Sequence, residues 1–153
     1  MNEIVMYMLA AACMAALSVM LCSCDDKIDV QQAYDFRLTS WHLQSDIRNG
    51  EAVEIRLTLQ REGDYAGASY NIGYIQMEGR GEVYDRNNVL LVNRELHALK
   101  DIAGLDADDP CRQVFTLFYR SMGDKKSVVQ FVVVDNFGRE RTLTVGFDPD
   151  TSE

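Results

Sequence analysis

The chain has few of the residues from which reactive sites are built. Only two of its 153 residues are histidines and four are cysteines. No Gly-x-Ser-x-Gly elbow, Walker-type phosphate loop or His-Glu-x-x-His zinc helix occurs. His42 and His97 come from distant segments, so each reads as a strand or surface residue rather than a base or a metal ligand. Positive charge is scarce as well. Fifteen Lys and Arg against 24 Asp and Glu leave a formal net charge of −9, and Lys125-Lys126 is the only pair of adjacent lysines. A phosphate-binding surface needs clustered cations, so direct nucleic-acid binding is not expected.

What the chain does have begins at its N-terminus. Ile4 to Leu21 is an apolar, alanine-rich run without a charge, and after Cys22-Ser23-Cys24 it changes abruptly to Asp25-Asp26-Lys27. Leu21 stands three places before Cys24 and the small Ser23 directly before it, a pattern that resembles the lipobox of bacterial lipoproteins. On that reading residues 1–23 are a signal peptide and Cys24 is the lipidation site and mature N-terminus. The alternative is a transmembrane helix, because the run approaches the roughly 20 residues that span a bilayer. Met1-Asn2-Glu3 departs from a secretory signal in carrying no Lys or Arg.

Cleavage also settles the cysteines. Cys13 and Cys22 leave with the signal and Cys24 is consumed by lipid, so Cys111 stands alone and no intrachain disulfide is available. Cys111 reads as a core thiol, with an intermolecular bridge or a reactive thiol as the alternatives. About 130 residues remain, enough for one hydrophobic core without covalent help. The expected divisions are 1–23 signal peptide, 24–33 lipidated N-terminus and polar tether, 34–148 folded domain, and 149–153 acidic tail.

Within the domain the dominant period is two. In Ala52 to Gln60, Val53, Ile55, Leu57 and Leu59 alternate with Glu54, Arg56, Thr58 and Gln60, the pattern of a strand with one core face and one wet face. Asn49-Gly50 marks a turn before it, and Tyr34 to Leu43, carrying Phe36, Leu38 and Trp41, forms the preceding strand. Ser69 to Met77 is a third strand. Glu82 to Tyr84 and Val89 to Val92 flank Asp85-Arg86-Asn87-Asn88 as a small hairpin. Val114 to Tyr119, Ser127 to Val134 and Arg141 to Phe147 complete the set, and Asp135-Asn136-Phe137-Gly138 turns the last two into a hairpin that sets Leu143, Val145 and Phe147 beside Val128, Val132 and Val134. The expected fold is all-β, an immunoglobulin-like antiparallel β-sandwich of about seven strands. Between two strands, Asn93 can cap a short helix that places Leu96, Leu99 and Ala103 on one stripe and stops at Gly104.

Several stretches together resemble the TraQ family of small lipoproteins encoded on Bacteroides-type conjugative transposons. They are Gly50-Glu51-Ala52-Val53-Glu54-Ile55-Arg56, Arg61-Glu62-Gly63, Tyr70-Asn71-Ile72-Gly73-Tyr74 with Gln76, Leu90-Leu91-Val92-Asn93, Phe115 to Ser121, and Asp135 to Gly138. The resemblance covers most of residues 34 to 147, and the stretch from His97 to Arg112 departs from it by being longer. It implies a noncatalytic, membrane-anchored accessory of a conjugative transfer apparatus, binding another envelope protein and held by lipid on Cys24. No catalytic residue or cofactor is carried over. Asp25-Asp26 resembles the export signal of Bacteroidetes surface lipoproteins, which implies the outer membrane without choosing a leaflet.

Two other constellations bear on function. Asp106, Asp108 and Asp109 could offer oxygen ligands to Ca²⁺ but lack the glycine and bidentate Glu of an EF-hand, so they read as a solvated loop with no metal. Trp41, Tyr65, Tyr70, Tyr74 and Tyr84 could stack on glycans, though sandwich cores use the same residues. The competing function is therefore a surface glycan- or protein-binding lipoprotein unrelated to conjugation.

Overall fold

The computed structural model describes residues 32–42 and 44–150. The expected signal peptide, Cys24, Leu43 and residues 151–153 lie outside them, and with them most of the expected tether and tail. Period-two segments become the strands β1 (Phe36–His42), β2 (Asp46–Ile47), β3 (Ala52–Arg61), β4 (Tyr70–Glu78), β5 (Gly81–Tyr84), β6 (Leu90–Leu91), β7 (Leu96–Ala98), β8 (Asp106–Asp109), β9 (Arg112–Ser121), β10 (Ser127–Asp135) and β11 (Glu140–Pro149). Among the described residues there is no α-helix.

Two sheets form. One runs β1-β3-β9-β5-β6, with β8 also pairing β9; the other runs β2-β11-β10-β4-β7. All pairings are antiparallel except that of β2 with β11. Strands β1, β3, β9 and β5 in one sheet, and β4, β10 and β11 in the other, reproduce the A-B-E-D and C-F-G arrangement of a constant-type immunoglobulin domain. The expected sandwich is thus present. β2 continues the first strand across to the second sheet, and β6, β7 and β8 belong to an excursion between D and E.

The inner faces follow from the alternation. Val53, Ile55, Leu57 and Leu59 of β3 are buried beside Phe115, Leu117 and Tyr119 of β9, and across from them lie Ile72, Tyr74, Val129, Phe131, Val133, Val145 and Phe147. Full burial stabilises by about 1.5–3 kcal/mol for each large apolar side chain. Tyr119 and Phe147 bridge the sheets as a parallel stack with centroids 5.3 Å apart.

Four expectations need correction. The helix over Asn93 to Gly104 is instead strand β7 followed by a single 3-10 turn at Leu99–Asp101. The stripe fails because Leu96 is exposed while Leu99 is buried, and β7 gains ladder bonds to β4 that a lone helical turn would not supply. Trp41 pairs with Arg56 on the outer face of its sheet and is 57% exposed. In the last hairpin, Leu143, Val145 and Phe147 oppose Phe131, Val129 and Ser127, so Val128, Val132 and Val134 lie on the other face. Cys111 is half-buried in the turn between β8 and β9, where its carbonyl accepts the Arg61 N–H; it is not a core thiol.

Registers also define two ends. Phe36 pairs with Arg61, and Tyr70 with Asp135, at the end where the described chain begins. His42, Ala52, Ser121, Ser127 and Phe147 lie at the opposite end, where Gly50 N–H donates to the Ser121 carbonyl and Met122 N–H to that of Arg80.

Candidate interaction surface

At the first end an arginine clamp holds the incoming chain. The Asp135 carboxylate is almost fully buried, and its Oδ1 accepts the backbone N–H groups of Phe137 (2.9 Å) and Arg139 (2.8 Å). Its Oδ2 accepts Arg139 Nε at 2.9 Å, and Nη1 and Nη2 of the same guanidinium donate to the carbonyls of Ala33 and Tyr34. Beside it Arg141 donates to Asp35. The Phe36 N–H first, and Arg141 second, hold the Asp35 carboxyl below the usual carboxylate range by stabilising its charged form. Both guanidinium groups lie over the Phe36 ring, at 5.7 and 5.5 Å. Residues 33 to 36 are therefore fixed to the start of β11.

A second aspartate builds a like-shaped loop in the D–E excursion. Asp85 Oδ1 accepts the N–H groups of Asn87 (2.8 Å) and Val89 (2.9 Å), and Oδ2 accepts that of Ala103 at 3.3 Å. One carboxylate thus closes the β5–β6 turn and pins the chain eighteen residues later.

The opposite end carries a shallow depression of about 360 Å³ lined by Asn49, Gly79, Arg80, Met122, Asp124 and Lys125. Met122 and Met77 are exposed there, at 44% and 58%. Arg48 bonds Asp150 and Lys126 lies 3.8 Å from Asp148. Methionine adapts its shape to a partner and the cations add polar contacts, a combination that suits protein recognition.

The third surface is the outer face of the C-F-G sheet. In successive rows Val134 pairs with Asn71 and Glu140, Val132 with Gly73 and Thr142, and Gln130 with Ile75 and Thr144. The chain before β7 closes over this face: Arg94 N–H donates to the Tyr74 carbonyl, and a Cβ on Gly73 would stand 2.5 Å from the Glu95 carbonyl oxygen. Glycine is what permits that approach. The result is a largely apolar groove of about 360 Å³ with Arg94 and Glu95 on one lip and Glu140 on the other. The signal for it was in the sequence: Val128-Val129 and Val132-Val133-Val134 leave β10 apolar on both faces, as in strands covered on both sides.

The residues singled out earlier are not gathered into a reaction centre. His42 ends β1 against Phe147, while His97 lies on β7 at the far edge of the other sheet and accepts the Val92 N–H. Asp106, Asp108 and Asp109 are exposed, with Asp106 and Asp109 accepting local backbone N–H groups. No group of three His, Cys, Asp or Glu that could hold a metal occurs among the described residues. Tyr65, Tyr70 and Tyr74 are buried and Tyr84 half-buried, away from exposed Trp41, so these rings make no platform. Burial raises the Tyr70 and Tyr74 hydroxyls above their ordinary pKa.

Fold and surfaces together define an immunoglobulin-like module whose described residues offer two ends and the outer face of a sheet. The chain belongs to the TraQ conjugal transfer protein family, whose model matches residues 7–150. Three solved structures agree. A conjugative transposon lipoprotein from Bacteroides eggerthii is 29% identical with a TM-score of 0.62, covering 75% of this chain and 98% of its own. A lipoprotein from Bacteroides thetaiotaomicron is 27% identical, with a TM-score of 0.59 and coverage of 84% and 90%. A conjugate transposon protein from Bacteroides vulgatus is 26% identical, with a TM-score of 0.60 and coverage of 84% and 95%. No curated protein matches. The family is one of conjugative-transposon lipoproteins.

Proposed function

We propose that the protein is a noncatalytic lipoprotein of the outer membrane, acylated at Cys24 after removal of residues 1–23, and an accessory of the conjugative transfer apparatus that holds another envelope protein. The observation that supports this reading is the polarity of the sandwich. The clamp of Arg139 and Arg141 fixes residues 33 to 36 at one end, and Ala33 is nine positions after Cys24. A tether of that length reaches about 30 Å when extended, so this end stays near the bilayer. The end bearing Met77, Arg80, Met122 and Lys125 then faces away and is free to hold a partner.

Anchoring acts by raising the partner's effective concentration at the membrane and restricting its geometry. Mating frequencies test it, measured for a deletion strain complemented with wild type, Cys24→Ala or Met122→Asp/Lys125→Glu, with palmitate labelling and blots as controls. Deletion lowers transfer, wild type restores it, and neither variant does so. Undiminished transfer on deletion removes the conjugative role. Rescue by Cys24→Ala removes only the tethering, and rescue by the double variant only the choice of end.

A further inference from the structure

The outer face of the C-F-G sheet carries an inference beyond that reading, and one that does not rest on it. A sheet face turned to water is ordinarily polar, yet here Ile75 and Val134 are half-exposed above a buried floor of Gly73 and Val132, with Leu96 52% exposed at the margin. Its charges are confined to the lips. Arg94 stands beside Tyr74 on the β4 side, and Glu140 stands across from Val134 on the β11 side, one row beyond Val132 in the other direction. Arg94 and Glu140 therefore occupy diagonally opposite corners with Val132 between them.

That arrangement is self-complementary. We propose that this face joins two copies of the chain, about a two-fold axis that passes over Val132. The axis sets Arg94 of each copy opposite Glu140 of the other and packs the exposed Leu96 and half-exposed Ile75 and Val134 of one copy against the other, above the buried Val132. A two-fold interface uses the same patch twice, so one cation and one anion at opposite corners suffice to make two ion pairs. Glu95 shares the Arg94 lip and also meets the opposing Glu140, a repulsion that keeps the pairing weak.

Sedimentation velocity of the full chain in density-matched detergent, over a range of concentrations, tests this. Wild type passes from monomer to dimer as concentration rises. Arg94→Glu weakens the dimer by about tenfold or more, because it sets two carboxylates, at 94 and 95, against Glu140, and adding Glu140→Arg restores it. Glu95→Gln tightens it, and Leu96→Glu, at an exposed position, abolishes it with unchanged thermal unfolding. A monomer at every concentration overturns the proposal and gives the face to another occupant. So does a charge reversal without effect, or a double reversal that fails to recover association.

Discussion

The loops at Asp85 and Asp135 have the same backbone and opposite uses. In each, the aspartate N–H donates to the carbonyl four residues on, its carbonyl accepts the N–H three residues on, and Oδ1 accepts the N–H groups two and four residues on. The third residue after the aspartate is left-handed in both, Asn88 at φ 59° and Gly138 at φ 78°. Only Oδ2 differs. In one loop it takes a backbone N–H of the D–E excursion; in the other it takes a guanidinium that in turn holds the chain at Ala33 and Tyr34. A local motif that the sequence repeats thus fixes the turn, and the one spare lone-pair direction decides what the turn is for.

Removing each carboxylate separates these roles, and the larger loss belongs to the loop with the cation. Asp135→Ala is expected to cost about 3 kcal/mol, because it frees two part-buried N–H groups and leaves Arg139 without its counter-charge. Urea midpoints measure the loss, and hydrogen exchange should rise at residues 33 to 37 as well as in the loop. Asp85→Ala is expected to cost about 2 kcal/mol, since it orphans three neutral donors and no charge, with exchange rising at 99 to 105 instead. Equal losses would mean that the guanidinium is worth no more than the one neutral donor, Ala103 N–H, that stands in its place on Asp85. At the left-handed positions the effects are smallest: Gly138→Ala should lower stability by about 1 kcal/mol, and Asn88→Gly should change it by less than about 0.5 kcal/mol, because Asn already tolerates that conformation. Thermal melts of the pair suffice to rank them.

How far the sequence could be read depends on whether a segment had one apolar face or two. The Ala52 to Gln60 alternation admits a single orientation, and β3 adopts it. In β10 valines occupy both parities, so the face turned inward could not be chosen from composition; the register with Phe131 opposite Leu143 is set by the whole hairpin. The same ambiguity hid the groove, which needs the outer face of β10 and the backbone of Glu95 together. Leu96, Leu99 and Ala103 had helical spacing, but an unpaired edge on β4 was available, and edge pairing is a non-local gain that no window of sequence contains. The clamp was equally out of sight, because Asp35 and Arg141 are 106 residues apart.

Strand β1 has a mechanical consequence. It is joined to β3 through seven successive pairs, from Phe36 opposite Arg61 to His42 opposite Ile55, and the clamp sits at its leading end. Its cross-strand bonds lie perpendicular to its length. A pull on Ala33 against a grip at the far end runs along that length, so the bonds are loaded in shear and yield as a group rather than peeling one after another. Arg139 takes part of the same load before the first pair feels it. A domain threaded this way behaves under tension as a stiff link from Ala33 to its far end.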